Sequence, residues 1–402
     1  MMQAAVRSAC RQAAVVAAAV SIAACGAPPV AAPTGNELPF DEAVAVTTDS
    51  LVAQTQKMPA FLAMVESKLN KRGVAIDPML DSSGQQTVLT QLLERKVAAR
   101  FAAKHEQFEL QPFRASGLAK SQLLLTGTTT RVQTLDRARG SYRINLALIE
   151  LKTGQVIAQS SAVAADKGLD TNPTPYYRDS PVLLKDKVIE GYVRTSATPA
   201  GQRADPNYFE RISTATVIDE ATTLYNVERY QDSLTQYNRA LSTPAGEQLR
   251  VLNGVYLTNV KLGRMGEAEQ AFGKVVAIGI AYNELGVKFL FNPGGTEFWS
   301  DQKVSGAYGM WLRQIAREST SAKACMSIVG HTSRTGSEQT NDTLSLQRAT
   351  YIRQRLATEA AELGGRTKPA GMGFRQNIVG SGTDNVVDAL DRRVEFKIVP
   401  CG

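Results

Sequence analysis

The stretch Gly330-His331-Thr332-Ser333-Arg334-Thr335-Gly336-Ser337-Glu338-Gln339-Thr340-Asn341-Asp342-Thr343-Leu344-Ser345-Leu346-Gln347-Arg348-Ala349 follows a strand-forming run at Met326, Ile328 and Val329. A strand therefore stops in a small polar turn, and a helix carrying Arg348 begins. Open α/β sheets bind ligands at such an edge, and a helix start offers backbone N–H groups to anions. Arg348, about a turn and a half into the helix after Asp342 or Thr343, can add a guanidinium fork for a carboxylate. The pattern is that of a binding site without a catalyst. Working outward, apolar positions Leu344, Leu346, Ala349, Ile352 and Leu356 are expected to lay one helix face on the sheet. Ser345 and Arg348, three apart, share another stripe.

The matches at Gly330, His331, Thr332, Gly336, Asn341, Leu344, Ser345, Arg348 and Ala349 make this segment resemble the peptidoglycan-binding motif of OmpA-like C-terminal domains. Asp391-Arg392-Arg393-Val394-Glu395 resembles that family's closing strand, and Val287-Lys288-Phe289-Leu290-Phe291-Asn292 its opening strand. The resemblance covers roughly residues 285–399. It implies strand 287–291, helix 300–318, strand 325–331, helix 342–360, strand 368–374, a short helix 384–390 and strand 393–399.

The ligand implied is a peptidoglycan stem peptide ending in diaminopimelate, which presents a carboxylate beside an ammonium. By resemblance Arg348 is the cation for the carboxylate, with Asn341 and the backbone around Thr332 and Ser333 positioning the stem. Asn292 stands at another site edge. Arg392 and Arg393 alternate along a strand, so one faces ligand; family position favours Arg392. Ser333 stands where the family has an aspartate. A neutral hydroxyl there weakens ammonium binding by about 1–2 kcal/mol unless another carboxylate serves. Asp342, Glu338, Asp384 and Asp391 are all candidates. His331 is expected to be structural, because His105, the only other histidine, lies in a distant region and completes no catalytic set with it. No phosphate loop, Rossmann glycine motif or HExxH helix occurs, so neither an enzyme nor a cofactor is expected.

The N-terminus supplies an address. Arg7 and Arg11 precede the apolar run Ala13 to Ala24, too short to span a bilayer as a helix, which needs about 20 residues. Residues 1–24 read as a secretory signal peptide. Ser21-Ile22-Ala23-Ala24-Cys25-Gly26 resembles a lipobox, implying lipidation of Cys25 and an outer-membrane lipoprotein facing the periplasm of a Gram-negative cell. Several acyl chains on one cysteine anchor firmly. Residues 25–37, rich in Pro and Ala, read as an extended tether of on the order of 35 Å. With Cys25 lipidated, Cys325 and Cys401 remain in an oxidising compartment. If Gly330 and Arg393 both lie at the site edge, their strands run antiparallel and both cysteines fall at the far edge, so a Cys325–Cys401 disulfide is expected. Too few ligands remain for a cysteine-rich metal site.

A chain of 402 residues is expected to hold two or three domains. The net charge of +7 falls to +5 without Arg7 and Arg11, and no Lys/Arg stripe interleaved with aromatics points to nucleic acid. Residues 38–165 alternate helical and strand patterns: a helix from Phe40 to Lys68, a strand at 73–79, a helix from Thr87 to Phe101, a strand at 108–110, then strands 123–128, 141–151 and 156–158, with a Lys152-Thr153-Gly154 turn. This order resembles the α/β domain of curli-assembly (CsgG/LpoB-like) periplasmic lipoproteins, which implies protein–protein contacts. Residues 166–208, rich in Pro, Asp, Thr and Gly, read as a long surface linker.

In residues 209–282, Ala221, Leu224, Ser233, Tyr237 and Ala240, then Ala268 and Phe272, resemble tetratricopeptide spacing near its 34-residue period. Two such repeats are expected to lean on their neighbours. The whole is a multidomain α/β and α chain: an N-terminal α/β domain, a short helical region, and a C-terminal βαβαβ(α)β domain (285–402) of mixed sheet and helices. Two functions compete: a lipoprotein gripping peptidoglycan through its last domain, and an envelope scaffold recruiting a secretion machine or a wall synthase through 38–280.

Overall fold

In the computed structural model the described residues are 37–55, 71–132, 140–283, 285–292, 294–378, 382 and 387–401. The expected signal peptide, Cys25, nearly all of the tether, and Asp384 lie outside them. The first helix, α1 (Phe40–Thr55), is the described part of the one expected to run to Lys68. It precedes strands β1 (Arg72–Ile76) and β2 (Leu80–Asp81), helix α2 (Val88–Lys104), strand β3 (Phe108–Gln111), helix α3 (Ala115–Leu118) and strands β4 (Leu123–Val132), β5 (Ser141–Glu150) and β6 (Val156–Ala165). Helix α2 starts where Thr87 caps it: Thr87 Oγ1 accepts from the Thr90 amide while Thr90 Oγ1 returns to the Thr87 amide, a reciprocal cap. The sheet runs β3-β1-β4-β5-β6, with β2 also on β4. Its first three strands are parallel and its last three antiparallel. Gly154 turns β5 into β6 at φ +71°, a conformation that costs glycine little.

Strand alternation sorts this sheet's residues onto two faces. Val74, Leu123, Leu125, Leu146 and Leu148 bury against Phe40, Leu51, Leu89, Leu93 and Phe101 of α1 and α2. Ala75, Leu124, Ala147 and Ile149 face the other way, into a larger core.

That second core corrects the reading of 166–208 as a surface linker. The stretch holds α4 (Pro175–Asp179), α5 (Lys187–Ser196) and α6 (Pro206–Phe209), and it buries Tyr176, Tyr177, Val182, Ile189, Tyr192 and Tyr208. The Tyr192 hydroxyl donates to the carbonyls of Pro78 and Gly127. Pro and Gly interrupt helices here, but the tyrosines between them carry enough apolar surface to dock the chain on the sheet.

Two antiparallel helical hairpins follow, α7 (Ile212–Asn226) with α8 (Tyr230–Leu241), and α9 (Leu249–Lys261) with α10 (Met265–Ala281). Small residues let them close: Ser233 Oγ donates to the Ala221 carbonyl across the first hairpin, and Gly254 lies under the fully buried Tyr237 ring. Their apolar faces join one continuous core with both sheets.

The last region comprises β7 (Leu285–Val287), α11 (Gln302–Ser305), α12 (Tyr308–Ser321), β8 (Cys325–Gly330), α13 (Glu338–Glu359), α14 (Leu363–Arg366), β9 (Thr367–Gly371), a 3₁₀ turn (Val387–Leu390) and β10 (Val394–Val399). The sheet order is β7-β10-β8-β9, with only β8 and β9 parallel. Three expectations shift. The opening strand ends at Val287, because the Lys288 amide turns away to the Pro181 carbonyl. The helix expected over 300–318 is broken at Gly306, where a side chain would strike the Gln302 carbonyl at 2.5 Å. The second helix begins earlier, at Glu338, because Ser337 Oγ accepts from the Thr340 amide. Of the expected short helix 384–390, the described part is the 3₁₀ turn. Cys325 and Cys401 are disulfide-bonded at the end of the β8–β10 ladder where Val399 faces Cys325; at the other end Val394 faces Gly330.

Candidate functional site

The turn after β8 is held from both sides. The His331 amide donates to the Arg393 carbonyl and the Thr332 amide to the Gly373 carbonyl, each at 3.0 Å, while the Met372 amide returns to Gly330. Helix α13 comes down on this corner almost backbone to backbone. A methyl at Gly330 would lie 2.1 Å from the Ser345 carbonyl oxygen, and one at Gly371 2.7 Å from Ser345 Oγ and the Leu346 amide. Ser345 Oγ then donates to the Asp342 carbonyl at 2.9 Å and accepts the Gly373 amide at 3.0 Å. This approach corrects the expected helix face. The buried stripe is Asn341, Ser345, Arg348, Ala349, Ile352 and Leu356, whereas Leu346 is 44% exposed. Where the backbones nearly touch, only a small side chain fits between them.

Inside the turn, Gly336 takes φ +90°, which favours glycine. Asn341 is buried and its Nδ2 donates to the carbonyls of Thr335 (2.7 Å) and Ser337 (3.0 Å). Ser333, also buried, places its hydroxyl 3.2 Å from Thr335 Oγ1. Thr332 is buried and its hydroxyl makes no hydrogen bond among the described residues, an unmade bond that costs about 1–3 kcal/mol.

Arg348 enters from α13. It is 5% exposed; its guanidinium lies 4.9 Å over the Phe291 ring, Nε donates to the Gly295 carbonyl at 3.2 Å, and Nη2 lies 3.5 Å from the Asn292 carbonyl. Asn292 and Arg348 thus meet although 56 residues separate them. The Asn292 side chain accepts the Ser300 amide at 3.3 Å, fixing the loop beneath the guanidinium. Phe291, from the expected opening strand, and Gly295, which carries no sequence signal of its own, complete this platform.

The two closing arginines part company. Arg393 is buried, and its Nε donates to Glu395 Oε1 at 2.8 Å, with further bonds to the Leu390 and Gln376 carbonyls. Arg392 is only half-buried. His331 sits beside this pair, its Nε2 3.6 Å from Glu395 Oε2, too long for a hydrogen bond. Burial lowers the imidazole's pKa even against Glu395, and the ring is wedged into the sheet edge. Burial would raise the Glu395 carboxyl, but the neighbouring His331 and the Arg393 guanidinium outweigh it and hold Glu395 well below the usual carboxylate range.

The alternative carboxylates also separate. Asp342 and Glu338 share Arg375, at 2.7 and 3.1 Å, Asp342 being half-buried and the other two exposed. Asp391 is fully buried and accepts from the Ile378 amide (2.6 Å) and Asn377 Nδ2 (3.2 Å). Among the described residues no group of three His, Cys, Asp or Glu is arranged to hold a metal ion, and no helix is long and apolar enough to cross a membrane.

No family model matches the chain, and no curated protein does. Among solved structures, it is similar to the peptidoglycan-associated lipoprotein of Burkholderia pseudomallei, with 22% identity over 28% of this chain and 89% of that one, at a TM-score of 0.23. It is also similar to the periplasmic domain of Helicobacter pylori MotB, with 15% identity over 29% and 76% of the two chains and a TM-score of 0.24. A putative MotB-like protein from Desulfovibrio vulgaris shows 19% identity over 38% and 96%, at a TM-score of 0.26.

Proposed function

We propose that the C-terminal region binds the stem peptide of peptidoglycan non-covalently and without catalysis, and that lipid on Cys25 holds the chain in the outer membrane, so that it joins two envelope layers. The single observation that carries this reading is the convergence of Arg348 and the Asn292 loop beside the Gly330–Asn341 turn. In this reading a stem carboxylate adds a charge-assisted bond at the Arg348 guanidinium. The Thr332 hydroxyl and the backbone of Ser333 position the stem, and Arg392 closes the far side. For the ammonium, Asp342 is the best carboxylate on offer. It follows Asn341 directly, and its partner Arg375 is an exposed side chain whose ion pair is screened by solvent. Asp391 is committed to a buried amide.

The test is co-sedimentation of the mature chain with purified sacculi, comparing wild type with Arg348→Ala and Asp342→Asn. Wild type is expected in the pellet. Loss of a charge-assisted pair of about 1.5–3 kcal/mol weakens Arg348→Ala by at least about tenfold, and Asp342→Asn weakens binding by less. Wild type remaining in the supernatant, or Arg348→Ala sedimenting equally well, rejects the reading.

A further inference from the structure

Lys288 is the first residue past β7, and it points its ammonium at the end of α4, 3.3 Å from the Tyr177 carbonyl and 3.5 Å from that of Arg178. A helix C-terminus welcomes a cation, but these are long contacts to neutral oxygens. Burial pushes the ammonium down to about 8, with Asp179 the one charge opposing it. Asp179 is already shared by Arg178, Lys261 and the Tyr225 hydroxyl. Lys288 is therefore a half-buried cation that has no carboxylate of its own among the described residues, an arrangement that a bound anion would complete.

It lines a cavity between the first sheet and the loop before β10, together with Arg131 from the end of β4 and Arg178 from α4. The acid on its wall is Asp81. One oxygen of Asp81 is saturated by the Ser83 amide (2.9 Å), the Ser83 hydroxyl (2.6 Å) and the Gln85 amide (2.9 Å). Arg178 is paired with Asp179, so Lys288 and Arg131 are the cations that face this one carboxylate, which is already held by its own turn. Thr129, Thr171 and Tyr142, each carrying a hydroxyl, also line it. The space open to the centres of water-sized spheres is about 70 Å³. Since one water needs roughly 10–15 Å³ by that measure, the cavity takes a group the size of a few waters and excludes a folded peptide.

We propose that this cavity is a binding site for a small oxyanion, a phosphate or carboxylate group, held by Lys288 and Arg131 with hydroxyl donors around it. The far wall is formed by Ile378 and Leu390, the residues whose backbones hold Asp391 and Arg393, so the ligand rests against the loop that carries Arg392. The anion site itself does not depend on peptidoglycan being the ligand of the outer site.

The experiment is calorimetric titration of the full mature chain at pH 7 and fixed ionic strength, with inorganic phosphate in one arm, malonate in a second and chloride as the control. Saturable one-to-one binding of phosphate or malonate, but not chloride, is expected, and the stronger arm identifies the ligand's acid group. Lys288→Met and Arg131→Gln should each weaken that binding at least tenfold, while sedimentation of both variants with sacculi in anion-free buffer stays as in wild type. If Lys288→Met fails to fold, as judged by Trp311 fluorescence, Arg131→Gln at the strand end decides. Absence of saturable binding in both oxyanion arms, or wild-type affinity in the folded variants, overturns the proposal. Loss of sacculus binding with normal anion binding would reject the outer-site reading alone.

Discussion

Replacing Gly330 by alanine tests whether backbone contact between β8 and α13 builds the candidate site. The added carbon would lie 2.1 Å from the Ser345 carbonyl oxygen, with the Ala349 methyl at 3.5 Å behind it. An ordinary carbon–oxygen approach is about 3.3 Å, so helix and strand must separate by roughly 1.2 Å. A side chain could rotate away; a helical carbonyl in the middle of α13 cannot. Overpacking of this kind costs about 1–3 kcal/mol. The displacement also lengthens the 3.0 Å bond from the Gly373 amide to Ser345 Oγ, adding about 0.5–1.5 kcal/mol. The total is about 1.5–4.5 kcal/mol. Arg348, one turn beyond Ser345, moves with the helix, and its 3.2 Å bond to Gly295 cannot survive a shift of that size. Urea unfolding followed by fluorescence suits the measurement, because Trp311 is buried in this region and Trp299 is the only other tryptophan in the chain. Gly330→Ala should lower the midpoint and also release the chain from sacculi, as Arg348→Ala is expected to do. A Gly330→Ala protein within about 0.5 kcal/mol of wild type would refute the reasoning, since surface-like tolerance is incompatible with a 2.1 Å contact.

Three further outcomes are expected. The Cys325–Cys401 bridge closes a loop of 76 residues, for which chain entropy gives about 4.5 kcal/mol at most; Cys401→Ser should lower the C-terminal unfolding midpoint markedly, and reductant should do the same to wild type but nothing to the variant. Asp77 is buried beneath Tyr208, whose hydroxyl donates to it, and burial raises its pKa to about 7. The folded chain keeps a proton that the unfolded chain loses near pH 4, so this carboxyl's stabilising contribution is complete below about pH 4 and is lost as pH rises through 7. Glu94 and Asp219 face it with raised values too and steepen the fall. In melting curves from pH 4 to 8, Asp77→Asn should therefore gain on wild type as pH rises, by up to about 4 kcal/mol for some three pH units; a wild-type protein that gains on the variant instead would contradict the burial argument. Gly254→Ala would place a carbon 2.3 Å from the Tyr237 ring, which is fixed by its hydroxyl bond with Thr222; a loss of about 1–3 kcal/mol in thermal unfolding is expected, and a neutral result would mean that the two hairpins slide freely.

What the residue order determined is what depends on neighbours along the chain. The apolar run at Leu123–Leu125, the alternation of 141–151 before the Lys152–Gly154 turn, and the break between Val329 and the polar turn at Thr332 all marked elements that form as expected, because period and turn chemistry are local properties. The glycines of the turn were legible as a pattern, but their reason was not: Gly330 is small because Ser345 of α13 lies against it, a contact across 15 residues that no propensity encodes. The same approach decided that Ser345 is buried and Leu346 is exposed, against hydrophobicity. Likewise Pro, Asp and Gly in 166–208 announced turns correctly, yet whether turns lie on a surface or under a core depends on what packs over them, and Tyr176 and Tyr192 found both sheets and helices to cover them. The sequence alone named Arg348 and Asn292 as members of a site; only the tertiary structure decided that they meet over Phe291, and that Lys288 faces a cavity. Local order sets which conformations a segment can adopt, whereas burial, charge pairing and close approach are set by chain segments far apart, and those terms fix the site.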